Sequence, residues 1–180
     1  MAKQVKDVYG NALFEVAEEE NRIDEYLKEA VCIVTALDEN PDLIRMMTHP
    51  QISEEEKASV LETIFRGKVS EEIYALLEMI LQKGHFADTR DVFVEFVDRV
   101  KAYRKIGVVY VSTPLALGLA QKKAVEDKVL ATTDFVSLEM HFDVKPELIG
   151  GMVIRIGDRV VDSSVRTKLD KLSHELASGR

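Results

Sequence analysis

The hydrophobic period of this chain changes once, at Lys105-Ile106-Gly107, and that change limits the fold more than any other feature. Before it, apolar residues recur at intervals of three and four, the spacing of amphipathic helices. After it they alternate with polar residues over one long stretch, a period of two that only a half-buried strand explains. An all-helical chain and an all-β chain are both excluded. The reading is α+β, with an N-terminal six-helix bundle over residues 1–105 followed by a small mixed β/α domain over residues 106–180. Charge divides at the same place: up to Arg104 there are 22 acidic and 13 basic residues, and from Lys105 onward 10 acidic and 11 basic.

In the first part Val5, Val8, Tyr9, Ala12, Leu13, Val16 and Ala17 make the stripe of helix one, and Ile23, Leu27, Ala30, Val34 and Leu37 repeat it in helix two. Asn40-Pro41 predicts a cap and first position for a short helix over Asp42–Thr48. Ser53 with Glu56 is a capping box opening helix four, which Gly67 stops. Helix five starts at Ser70 and ends at Gly84. Helix six runs from about Asp88 to Arg104 with Val92, Phe93, Phe96, Val97, Val100 and Tyr103 inward.

In the second part the β-branched run Val108–Thr113 reads as a strand and Leu117–Thr132 as a helix. Val136, Leu138, Met140, Phe142 and Val144 alternate with polar residues as a second strand. Met152–Ile156 and Arg159–Val161, turned by Gly157-Asp158, form a hairpin. A last helix opens at Asp162-Ser163-Ser164 with the stripe Val165, Leu169, Leu172 and Leu176. The order is β-α-β-β-β-α.

Catalytic patterns are missing. His49, His85, His141 and His174 have no metal-ligand spacing, and one cysteine supplies no thiolate cluster or disulfide, so no metal or cofactor is expected. Cys32 lies in the apolar run Val31–Val34 and is expected to be a buried thiol. No Gly-rich phosphate loop opens a helix. The acidic first part disfavours nucleic acid, which is bound chiefly through Lys and Arg. No apolar run approaches the roughly 20 residues that span a bilayer, so no direct insertion is expected.

From Ile73 to Leu81, seven of nine residues are large and apolar, more than one stripe facing one core requires. Such a helix is covered nearly all round, either as the central helix of the bundle or by lending a face, beside helix one, to another protein's amphipathic helix.

The stretch Leu148–Leu172, which begins Leu-Ile-Gly-Gly-Met-Val-Ile-Arg-Ile-Gly-Asp-Arg-Val-Val-Asp-Ser-Ser, resembles the C-terminal signature of the delta subunit of F-type ATP synthases, the oligomycin-sensitivity-conferring protein family. Tyr9–Ala17 is similar to that family's first-helix motif, and Leu81–Phe86 to the segment ending its fifth helix. Val8, Gly10, Glu78 and Ser163 depart from the family's usual residues.

The resemblance implies a non-catalytic stator on the peripheral stalk, on the cytoplasmic face of a bacterial cell membrane, resisting rotor torque. It implies that the first domain grips the N-terminal helix of an α subunit between helices one and five. It implies too that the second domain binds the C-terminal ends of b subunits. Combined with helical spacing, it nominates Tyr9, Ala12, Leu13 and Val16 on one wall of the groove and Leu76, Leu77 and Ile80 on the other. The isolated chain is expected to be a monomer. The competing reading from composition and periodicity is a free-standing helical adaptor binding some other amphipathic helix. A small enzyme comes third, since no nucleophile, base and orienting group assemble.

Overall fold

Six α-helices precede the first strand in the computed structural model, which describes residues 2–177, with side chains from Val5 to Leu176. They are α1 (Ala2–Glu19), α2 (Ile23–Glu39), α3 (Pro41–Thr48), α4 (Glu54–Phe65), α5 (Glu71–Gln82) and α6 (Thr89–Tyr103), with a 3₁₀ turn at Phe86–Asp88. The second half holds β1 (Ile106–Thr113), α7 (Leu119–Thr132), β2 (Ser137–Val144), β3 (Val153–Ile156), β4 (Arg159–Asp162) and α8 (Val165–Ala177). The fold is α+β. The chain divides into two compact units, one up to Lys101 and one from Ala102 onward.

The first unit is organised by helix caps and one apolar cluster. Ser53 Oγ accepts from the Glu56 amide while Glu56 accepts from the Ser53 amide, each at 3.2 Å, so two of the four orphan donors of α4 are satisfied reciprocally. Gly67, at φ +76°, takes the left-handed conformation that carries the chain off the end of α4. Ser70 precedes α5 but does not cap it; its amide and hydroxyl donate instead to Glu29 of α2 at 2.8 and 2.7 Å. Leu13, Tyr26, Ile33, Leu61, Phe93 and Phe96 come from four helices into one core. Each such side chain contributes roughly 1.5–3 kcal/mol through removal from water.

Four sequence expectations need correction. Cys32 is exposed, not buried. The inward face of α2 runs through Tyr26, Ala30, Ile33 and Leu37, and Cys32 sits about 100° round the helix from Ile33. Asn40 makes no side-chain cap on α3; its amide closes the end of α2 by donating to the Ala36 carbonyl at 2.9 Å. Tyr103 is exposed although its spacing continues the α6 stripe, because the apolar cluster ends at Val100. Val136 is exposed as well, since strand pairing begins one residue later, at Ser137.

The second unit is a four-stranded mixed sheet in the order β2-β1-β3-β4. β1 and β2 are parallel, from Ile106 opposite Ser137 to Thr113 opposite Val144, which needs a crossover, and α7 supplies it. β3 pairs antiparallel with β1 and with β4. One face of the sheet is apolar and packs on α7: Val109 and Val111 are wholly buried beside Val129, with Leu138, Met140, Ile154 and Ile156 around them. Gly151 sits at φ +76° where a Cβ would lie 2.4 Å from the Ser163 carbonyl oxygen, so glycine is required for the chain to pass the start of α8.

Candidate interaction surfaces

Two helices present more apolar surface than their own unit covers. α1 is divided lengthwise: Leu13 and Ala17 are buried in the core, while Val8, Ala12 and Val16, spaced by four, are exposed, and Tyr9 is half-buried between the two sets. A stripe that is apolar at both phases has one edge for the core and one for something else. α1 touches both α2 and α5.

α5 is used mainly inward. Ile73, Leu77 and Ile80 are wholly buried, and Leu76 and Leu81 nearly so; Ala75 and Met79 are its exposed apolar residues. Of the seven nominated residues, Ala12 and Val16 are therefore reachable from outside and Tyr9 partly so, whereas Leu13, Leu77 and Ile80 lie in the interior and Leu76 is nearly buried. The sequence did not single out Met79 as an accessible position; its place in an almost continuous apolar run hides which side faces out.

Polar contacts fix the end of α1 relative to α5. The Tyr26 hydroxyl, on a wholly buried ring, donates to Glu20 at 2.6 Å. Arg22 lies 3.2 Å from the same Glu20 carboxylate, 2.9 Å from Glu25 and 3.5 Å from Glu72 in the first turn of α5. Its guanidinium also stands 5.1 Å from the centre of the Tyr26 ring. The hydrogen bond to Arg22 holds the Glu25 carboxyl below its ordinary range. Glu72 is held low first by its own backbone amide and then by Tyr26.

In the second unit, α8 packs on the Pro146–Leu148 turn at its start and leaves its later apolar stripe open. Its opening is well capped: the Ser164 hydroxyl accepts from the Thr167 amide, and Asp162 accepts from the Ser164 amide at 2.8 Å and the Thr167 hydroxyl at 2.7 Å. Yet Leu169, Leu172 and Leu176 of its apolar stripe are all exposed.

Nothing among the described residues assembles as a reaction centre. His141 pairs with Glu139 at 2.9 Å and His85 with Asp88 at 3.9 Å, both at the surface, and neither imidazole hydrogen-bonds a serine or cysteine. Among the described residues no group of three or more His, Cys, Asp or Glu is placed to hold a metal ion. No helix among the described residues is long and apolar enough to cross a membrane.

A two-unit chain with accessible apolar helix faces has the features of a docking subunit of a larger assembly. It belongs to the ATP synthase delta (OSCP) subunit family, whose model matches residues 5–176. It is 40% identical over 176 residues to the ATP synthase subunit delta of Lachnoclostridium phytofermentans, covering 98% of this chain and 97% of that protein. It is 31% identical to the same subunit of Brevibacillus brevis, covering 97% of this chain and 99% of that one. A chain of the cryo-EM structure of the Toxoplasma gondii mitochondrial ATP synthase hexamer has the same fold, with a TM-score of 0.74 at 22% identity and coverage of 96% and 97%.

Proposed function

We propose that this chain, a peripheral-stalk subunit of the F-type ATP synthase, joins the catalytic head to the stalk through its two units. The first unit, as a six-helix bundle, holds the N-terminal helix of the α subunit in the groove between α1 and α5; the second binds the C-terminal ends of the b subunits. The part is mechanical, carried out at the cytoplasmic face of a bacterial membrane by a chain that is monomeric when isolated. A part that resists torque through many turnovers needs slow dissociation, which comes from an apolar anchor with a polar rim and not from titrating groups.

The observation that carries this reading is the division of α1. Val8, Ala12 and Val16 form a helical row that is exposed among the described residues, beside a helix anchored by Arg22 and Tyr26. The exposed stripe on α8 supports a second docking surface. The test is a pull-down with the tagged full chain from detergent-solubilised native membranes. Recovery of both α and b subunits is expected; recovery of neither would sink the reading.

A further inference from the structure

The face of the sheet opposite α7 carries a row of side chains set by strand register. His141 of β2 stands opposite Tyr110 of β1, Tyr110 opposite Arg155 of β3, and Arg155 opposite Val160 of β4. The imidazole of His141 stacks on the Tyr110 ring with centroids 4.9 Å apart and planes 19° from parallel. The Arg155 guanidinium lies over the same ring, 4.7 Å from its centre. With Val153, these residues line a concavity of about 320 Å³. Tyr110 is 43% exposed and Val160 57% exposed, so the row is open to solvent.

The charges on this face are unevenly matched. His141 has Glu139 at 2.9 Å, and Lys145 has Asp143 at 3.7 Å. Asp162, at the end of β4, is engaged by Ser164 and Thr167. Arg155 alone of the basic residues lining the concavity has no ion pair among the described residues, although it is held in place by the ring beneath it. A planar guanidinium fixed by stacking presents its N–H fork outward at little further loss of side-chain freedom, and its complement is a carboxylate. The apolar surface of Tyr110, Val153 and Val160 beside it favours an aliphatic neighbour on the same guest.

We propose that this open sheet face is a docking surface for an acidic segment of another ATP synthase subunit. The segment places a Glu or Asp side chain on Arg155 and an adjacent aliphatic side chain against Tyr110 and Val160. The inference rests on the chain's place in the ATP synthase and goes beyond the α-helix groove and the α8 stripe, since it assigns a third surface and the charge of its guest.

The test uses native membranes stripped of this subunit, to which the full-length chain is added back and its rebinding titrated at low and high salt. Arg155→Gln is expected to weaken rebinding at least fivefold at low salt and less at high salt, because an ion pair near the surface is screened. Circular dichroism of the free chain is expected not to change, Arg155 being at the surface. Arg155→Lys, treated with a carbodiimide in the rebound complex, is expected to give a zero-length amide between position 155 and an acidic residue of a neighbouring subunit. Rebinding of Arg155→Gln within twofold of the wild type at both salt concentrations would overturn the inference. So would normal rebinding of Arg155→Lys with no link formed at position 155. Failure of the wild-type chain to rebind would overturn the ATP synthase reading and this inference with it.

Discussion

The hydroxyl of Tyr26, whose ring is wholly buried in α2, donates a 2.6 Å hydrogen bond to Glu20 at the end of α1. The acceptor is a carboxylate, so the bond is of the stronger, charge-assisted kind. Arg22 extends it to Glu72, and one network thereby ties the end of α1, the start of α2 and the start of α5. The proposed groove lies between the two outer members of that set, so its width at this end is set by groups that the guest helix need not touch.

Tyr26→Phe removes the bond and keeps the ring. A hydrogen bond to a charged group is worth about 1.5–3 kcal/mol, and a loss of that size is expected in denaturant unfolding of the first unit. The difference also has a predicted pH dependence. Burial first, then the hydrogen bonds to Glu20 and Glu72, push the Tyr26 phenol above its ordinary value of 10.0. A raised pKa means stability that is complete below the unfolded value and lost as the proton is pulled off. The gap between wild type and Tyr26→Phe should therefore hold constant through neutral pH and narrow above about pH 10. A gap that stays constant up to about pH 12 would contradict this.

Asp162 makes the opposite prediction. The Ser164 amide, followed by the Thr167 and Ser164 hydroxyls, pulls its carboxyl below the ordinary value of 3.8. A lowered pKa means stability present above the unfolded value and lost as pH falls. The second unit should loosen below about pH 4, with the amides of Ser164 and Thr167 exchanging early. In Asp162→Asn the protection of those amides should already be reduced at neutral pH and vary little with acid. Equal acid sensitivity in the variant would place the cause elsewhere.

Gly151→Ala should unfold the second unit and leave the first standing. The left-handed backbone at this position costs an L-residue about 1–2 kcal/mol, and the new methyl would sit against the Ser163 backbone, which has no flexible end to move. In two-dimensional amide NMR, signals of residues 106–162 are expected to collapse while those of α1–α6 persist. Retention of both sets would show that the turn relaxes without cost.

Features decided within a few residues were readable in the sequence. Ser53 with Glu56 defined the start of α4, and the alternation from Leu138 to Phe142 announced a strand. Two kinds of feature were not readable. Where nearly every position is apolar, periodicity leaves the phase of the helix undetermined, which is why Cys32 reads as buried and nothing marks Met79 as the outward residue. The phase is fixed by neighbouring helices, as with Tyr26 and Ile33, and no local pattern records that. The row His141-Tyr110-Arg155-Val160 depends on register across four strands, two of them joined by a crossover through α7. No residue of the row signals the others from its own segment; the four meet only through strand pairing.

The proposed α-subunit groove is best tested by a pair of substitutions that differ in burial. Ala12 is exposed and small, on the row with Val8 and Val16, so a guest helix can approach its backbone closely there. Ala12→Leu fills that space from a position facing solvent. It is expected to weaken binding of a peptide matching the α-subunit N-terminus by more than about tenfold, or about 1.4 kcal/mol, with the thermal melt of the free chain nearly unchanged. Leu77→Ala, on a residue with no exposed surface, is expected to act through the fold: a buried leucine cut to alanine costs about 2–5 kcal/mol. Its peptide affinity should fall only under conditions where the first unit has begun to melt. Undiminished binding by Ala12→Leu would move the guest off this face of α1. A fall in affinity for Leu77→Ala while its fold stays intact would show that the groove opens deeper into the core than Leu77's burial implies.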